Sequence, residues 1–283
     1  MAIATEIIAA ADRVADRALL DLEVLRRLVV RDIVRVLQRI PTTDTGAIAA
    51  RAELRNLAAV RASVLSTMEI RGSRAVVTLA ERAAADAARE AAAALAVFLR
   101  RDDPLFDPAF MPRPDSAIER VAGPRIADIA RLFTIAQGEI RIAINVGTTT
   151  GIPLDDLVKL VSLRADVAFN RTRAVVDTAI ISVGRAMIMD GTSRANALVG
   201  EDRFLLRYVG PLDRKTRPFC RHILTGIRVY TEGAIAQMDN GQGIPVRETC
   251  GGYRCRHQWA PITIFEVQRR GWAIGGAVRR WAA

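Results

Sequence analysis

Five residues carry most of the chemistry that this sequence can offer. The chain has three cysteines and two histidines in 283 residues, and Cys220, His222, Cys250, Cys255 and His257 all fall within 38 consecutive positions. The tripeptide Cys-Arg-His occurs twice, at 220–222 and at 255–257. Such clustering favours one shared site. Three chemistries are open to it. Zinc takes four Cys or His ligands in a tetrahedron, and two loops that each bring a pair are a common way to staple a small module. The pairs would be Cys220 with His222 and Cys255 with His257, with Cys250 as a fifth candidate; the one-residue spacing is tighter than in most zinc knuckles. A nucleophilic thiol is the second chemistry, with Cys220 or Cys255 beside His257 as base. The third is a set of buried thiols that simply pack.

Several enzyme classes are excluded. There is no His-x-Glu with a later Cys-x-x-Cys, as a zinc deaminase requires, no His-Glu-x-x-His of a zincin, and no phosphate-binding Gly-rich loop. We expect no enzymatic activity and no small-molecule substrate.

The charge balance points to acidic or anionic partners. The chain carries 41 basic and 31 acidic side chains, and 39 of the basic ones are Arg. Residues 201–283 hold fourteen basic against seven acidic side chains, so the excess sits with the Cys/His cluster. Phosphate and an acidic protein surface both answer to such a patch. The final stretch "VQRRGWAIGGAVRRWAA" reads as an amphipathic tail in which Arg269, Arg270, Arg279 and Arg280 lie near Trp272 and Trp281, suited to double-stranded DNA or to an acidic groove. The N-terminus has acids at Glu6, Asp12 and Asp16 where an export signal needs a basic start and an apolar run. No apolar run spans a bilayer, so no membrane partner is expected, and in a reducing cytoplasm the thiols suit metal better than disulfides.

The elements that must position the cluster are mostly helical. From residue 5 to residue 40, Ile8, Ala11, Ala15, Ala18, Leu22, Leu25, Val29, Ile33, Val36 and Ile40 recur at steps of three or four, which predicts one long helix ended at Pro41. A second helical region spans about 47–101, with a break expected at Gly72. Four prolines in 100–115 predict a linker. Further helices are expected near 116–145 and 153–189, joined at "VGTTTG". No aromatic residue precedes Phe98, so the Ala-rich helices must pack through small side chains. "RFLLRYVGP" and "GIRVYTEG" have the character of short strands. The fold class is therefore mainly α: a long helical bundle body followed by a small α+β module containing the Cys/His residues. The organisation expected is 1–115 as a long-helix region with its linker at 102–115, 116–200 as a second helical region, and 201–283 as the C-terminal module.

The segments "GPLDRKTRPFCRHILTG" and "PVRETCGGYRCRHQWAP" resemble the C-terminal signature of the phage head morphogenesis family, the Mu protein F-like minor head proteins. The matching residues are Asp213, Thr216, Cys220, Gly226, Cys255, Arg256 and His257, and the resemblance covers about 120–262. It departs in two places: Arg217 stands where many members have the first cysteine of a Cys-Pro-x-Cys, and Gly252 and Tyr253 stand where many have a His-Pro pair. The four-ligand set is thus not intact: either Cys250 or His222 completes it, or the module is held by packing and hydrogen bonds alone.

The resemblance implies a minor head protein of the virion, in the head interior or at the portal vertex. During assembly it would be in the host cytoplasm. Its partners would be the portal and other head proteins, and it would act in head morphogenesis or in DNA packaging or ejection. About twenty residues follow "WAP", so no toxin domain of the kind some relatives carry is expected. The alternative is a zinc-stapled nucleic-acid-binding protein of cellular function.

Overall fold

The computed structural model describes the backbone of residues 2–42, 54–102, 107–199 and 203–276, and side chains over 9–42, 57–101, 107–199 and 203–276. The architecture is mainly α with a small four-stranded sheet near the C-terminus. No helix among the described residues is long and apolar enough to cross a membrane.

The helices are α1 (Ala2–Leu37), α2 (Leu54–Thr67), α3 (Ala75–Asp102), α4 (Pro114–Ala117), α5 (Gly123–Thr150) and α6 (Leu154–Val199). Most of the predicted stripe is buried: Ala11, Ala15, Ala18, Leu22, Val29, Ile33 and Ile40 are core, Leu25 and Val36 are half-buried with Leu37 taking the core position in place of Val36, and the Ile8 side chain lies outside the described residues. No break occurs at Gly72. The chain widens there into a π-helical turn, Met68–Arg74, and a Cβ at 72 would lie 2.9 Å from the Phe133 ring. The glycine admits a neighbour's aromatic ring and does not end a helix. A second π turn, Ile118–Ala122, lies just ahead of Pro124, which has no N–H to continue the i−4 ladder.

Two expected helix ends move outward. Thr148, Thr149 and Thr150 each bond a carbonyl three or four residues back, so "VGTTT" stays helical and the turn falls at Gly151 (φ 66°). Helix α6 runs through Asp190 to Val199. Gly191 within it is a packing residue, since a Cβ there would lie 2.9 Å from the Met111 methyl.

The chain forms two compact units. One comprises 17–81 and 125–176 and is centred on an edge-to-face pair, Phe133 and Phe169, 5.1 Å apart. The other comprises 1–16, 82–124 and 177–283. Its helical part packs through small side chains, as the aromatic-free composition predicts: Ala83, Ala84, Ala87, Ala88 and Ala91 are buried. A Cβ at Gly184 would lie 2.7 Å from the Ala11 methyl.

That second unit also contains the sheet, β1 (Phe204–Val209), β2 (Arg228–Tyr230), β3 (Gln258–Thr263) and β4 (Ala273–Ile274), in the order β3-β1-β2-β4. Strand β1 pairs antiparallel with β2 and β3, and β2 pairs parallel with β4. Between strands lie the short helices α7 (Pro218–Thr225), α8 (Glu232–Ala236), α9 (Val246–Thr249) and α10 (Ile264–Arg270). Alternation along β1 serves two cores. Leu205 faces Val229 and Val267 of α10. Leu206 and Tyr208 face Phe219, Tyr230, Trp259 and all three cysteines. The first two strands were foreseen; β3, β4 and α10 were not. Over 267–276 the expected amphipathic tail is the end of α10, a left-handed turn at Gly271 and strand β4. Arg279, Arg280 and Trp281 lie outside the described residues.

Candidate metal centre

The repeated Cys-x-His spacing is read differently by the two backbones that carry it. On helix α7, residues two apart lie on opposite sides. Cys220 is accordingly buried and His222 exposed. Over 255–257 the chain is extended toward β3, and residues two apart share a side. Cys255 and His257 are both buried there, with Sγ and Nδ1 3.4 Å apart. His222 is therefore no partner of Cys220 in the cluster, a correction to the pairing expected from spacing alone.

Cys220, Cys255 and His257 place their ligand atoms within 4.8 Å of one another, close enough to hold a metal ion. The two sulfurs are 3.7 Å apart, too far for a bond, and all three cysteines are free thiols. Cys250 is fully buried but falls outside this group of ligand atoms. Burial pushes its thiol up to about 12, as expected for a thiol in the module's apolar core.

The donor set is oriented for coordination. His257 Nε2 donates to the Pro211 carbonyl at 2.8 Å, which leaves the Nδ1 lone pair pointing at the Cys255 sulfur. A second-sphere carbonyl on the far nitrogen is the usual way to fix a metal-binding imidazole. The backbone N–H of Gly251 donates to Cys255 Sγ at 3.3 Å. The Cys220 thiol donates to the same sulfur and holds Cys255 below the ordinary thiol range, while Cys220 is itself raised. Cys255 is thus the first of the pair to ionise. Two thiolates and an imidazole suit zinc and other borderline or soft ions.

Two glycines make room. Gly251 packs against both sulfurs; a Cβ there would lie under 3 Å from Cys220 Sγ and 3.2 Å from Cys255 Sγ. Gly210, at φ 150°, faces the imidazole, and a Cβ would lie 2.9 Å from His257 Cγ. The loop between Cys250 and Cys255 is coiled tightly, with Cys250 (φ 55°), Gly252 (φ 106°) and Arg254 (φ 52°) all at positive φ.

Arginines hold that coil in place. Arg217 donates to the carbonyls of Gly251 and Tyr253, both at 2.5 Å. Where many members of the resembling family have a cysteine, this chain thus clamps the opposite loop with charge-assisted hydrogen bonds. Arg185 of α6, 3 % exposed, donates to the carbonyls of Cys255 (2.5 Å) and Glu248 (3.3 Å), and its Nε has no hydrogen bond. A buried cation is costly unless anionic groups lie near it. The Arg185 charge acts on both the Asp12 carboxyl and the Cys255 thiol, in each case favouring the ionised form.

The remaining residues that carry the resemblance join the same unit. Arg256 grips Asp213 with two bonds of 2.7 and 2.8 Å, which holds the Asp213 carboxyl well below its ordinary value. Thr216 bonds Asp213 and the Pro211 carbonyl, and Pro211 holds His257. Gly226 caps α7. Tyr253 is exposed. Arg269 and Arg270 are both held by Glu266, and Arg270 also stacks on Trp272 opposite Arg207, at 4.9 and 4.0 Å.

Sequence reasoning passed over Tyr208, Gly210, Gly251 and Arg185. Only the glycine pair of "CGGYRC" carried a local signal, that of a tight turn. No family model, curated protein or solved structure matches the chain.

Proposed function

We propose that the chain is a structural, non-enzymatic minor head protein of a bacteriophage, associated with the portal, whose C-terminal module is stapled by one zinc ion through Cys220, Cys255 and His257. One observation carries this reading. Six of the seven residues of the resemblance form one bonded unit: Arg256 grips Asp213, Asp213 and Thr216 fix the Pro211 turn, Pro211 orients His257, and His257 meets Cys255 and Cys220. Residues matched by sequence alone had no obligation to converge in this way. The zinc assignment draws on the donor chemistry, two sulfurs and an oriented imidazole.

A catalytic thiol has less behind it. The Cys255–His257 pair is buried, and the far nitrogen of the imidazole is taken by the Pro211 carbonyl and not by a side chain. The alternative of a cellular nucleic-acid-binding protein rests on the basic surface, and there Glu266 already engages Arg269 and Arg270.

Mass spectrometry of purified virions tests the role: the chain should appear as a minor component, copurifying with portal. Absence from particles whose genome encodes it would overturn the assignment. Metal analysis of protein purified under reducing conditions without chelator tests the staple. About one zinc per chain is expected, and a clean absence refutes it.

A further inference from the structure

The three ligand atoms leave a tetrahedral ion one position short, and neither residue expected to fill it does so: His222 is exposed, and Cys250 lies outside the group. We propose that the Tyr208 hydroxyl is the fourth ligand, so that the site is Cys220, Cys255, His257 and Tyr208. This rests on the metal reading above. Tyr208 is buried, and its Oη lies 3.3 Å from Cys220 Sγ and 3.6 Å from Cys255 Sγ. Its ring stacks on the His257 imidazole, 12° from parallel with the ring centroids 5.4 Å apart.

Four of the six ligand–ligand distances correspond to edges of a metal tetrahedron, with Cys220 Sγ and the His257 imidazole also within 4.8 Å of each other. With zinc bonds of about 2.3 Å to sulfur and about 2.0 Å to nitrogen or oxygen, a regular tetrahedron has a sulfur–sulfur edge of about 3.8 Å and sulfur–nitrogen and sulfur–oxygen edges of about 3.5 Å. The observed edges are 3.7 Å for sulfur–sulfur, 3.4 Å for sulfur–nitrogen, and 3.3 and 3.6 Å for sulfur–oxygen. Strand β1 fixes the phenol, because Tyr208 pairs in register with Trp259 of β3 and packs its ring 4.6 Å from that indole.

A dication with two thiolates and a neutral imidazole has no net charge; a phenolate makes the centre singly negative. Arg185 bonds the Cys255 carbonyl beside the centre, and its charge also acts on the Asp12 carboxyl. On binding, the phenol proton leaves to solvent with those of the thiols, and the oxygen lone pair goes to the metal.

The experiment is titration of the full chain with Co²⁺ and Zn²⁺ under reducing conditions, for wild type and Tyr208→Phe. Wild type should bind one ion with the intense visible bands of tetrahedral cobalt, and zinc should raise the ultraviolet difference band of a metal-bound phenolate. Tyr208→Phe should lose the phenolate band, bind roughly tenfold or more weakly, and show altered cobalt bands as water takes the fourth position. Metal binding by wild type without a phenolate band would overturn the proposal and leave the hydroxyl as a hydrogen-bond donor to sulfur. That measurement decides even if Tyr208→Phe fails to fold. Identical cobalt spectra for the two proteins would overturn it as well. Failure of wild type to bind either ion would remove the metal reading itself.

Discussion

Placing one methyl group at residue 251 should dismantle the centre while leaving the rest of the chain intact. In Gly251→Ala the new Cβ would lie under 3 Å from Cys220 Sγ and 3.2 Å from Cys255 Sγ, against a normal carbon–sulfur contact of roughly 3.7 Å. Something must move by more than half an ångström. The loop is poorly placed to yield, because Gly251 is held by its carbonyl to Arg217 and by its N–H to Cys255. Helix α7 must therefore shift, taking Cys220 out of reach of Cys255. Overpacking of this kind costs about 1–3 kcal/mol in the metal-free protein. In the zinc-loaded protein the loss is larger, because stabilisation by the ion follows its affinity. Thermal unfolding of wild type and variant, each with and without added zinc, is the assay. Wild type should gain melting temperature with zinc and Gly251→Ala should gain little. Gly138→Ala is the control: nothing lies within 4 Å of the added methyl, and helix propensity predicts a gain of about 0.5–1 kcal/mol. Equal zinc-dependent stabilisation of wild type and Gly251→Ala would refute the packing argument and with it the assignment of Cys220 as a ligand.

Gly72→Ala should destabilise the unit that holds Phe133 by about 1–3 kcal/mol in urea unfolding, since the ring sits 2.9 Å from the added carbon; an unchanged midpoint would mean that the π turn relaxes freely. Leu22→Ala should cost about 2–4 kcal/mol, because this part of the α1 stripe is core; a surface-like effect under 0.5 kcal/mol would place the stripe at an interface instead. Asp213 has a folded pKa depressed by Arg256, so its contribution is complete above about pH 4, its unfolded value, and is lost as pH falls further. The stability difference between wild type and Asp213→Asn should accordingly shrink on acidification from pH 5; a constant difference would show that the ion pair does not contribute. Neutralising Arg269 and Arg270 should leave salt-dependent DNA binding little changed, since Glu266 already engages both; a flattened salt dependence would restore them as phosphate contacts.

What could be read from the sequence was whatever depends on local period and local composition. The apolar steps from Ala11 to Ile33 define a helical face, the absence of aromatics before Phe98 requires packing through alanine, and β-branched and aromatic runs mark β1 and β2. Each of these is a property of spacing or composition along the chain, and the mainly α fold with a small mixed module follows from them. The clustering of cysteine and histidine likewise marked the region of the centre.

The tertiary structure decided which members of the cluster meet. The same Cys-x-His spacing separates its two residues on α7 and aligns them ahead of β3, because a helix turns by about 100° per residue and an extended chain by about 180°. It also made packing residues of Gly72 and Gly191, since the side chains filling those spaces arrive from Phe133 and from Leu95 and Met111, distant in sequence. Tyr208 was legible as a strand residue only. That its hydroxyl reaches Cys220 and Cys255, 12 and 47 positions away, depends on the register of β1 against β3 and on the closure of a loop with three positive-φ residues. Neither is encoded by any stretch short enough to be read alone.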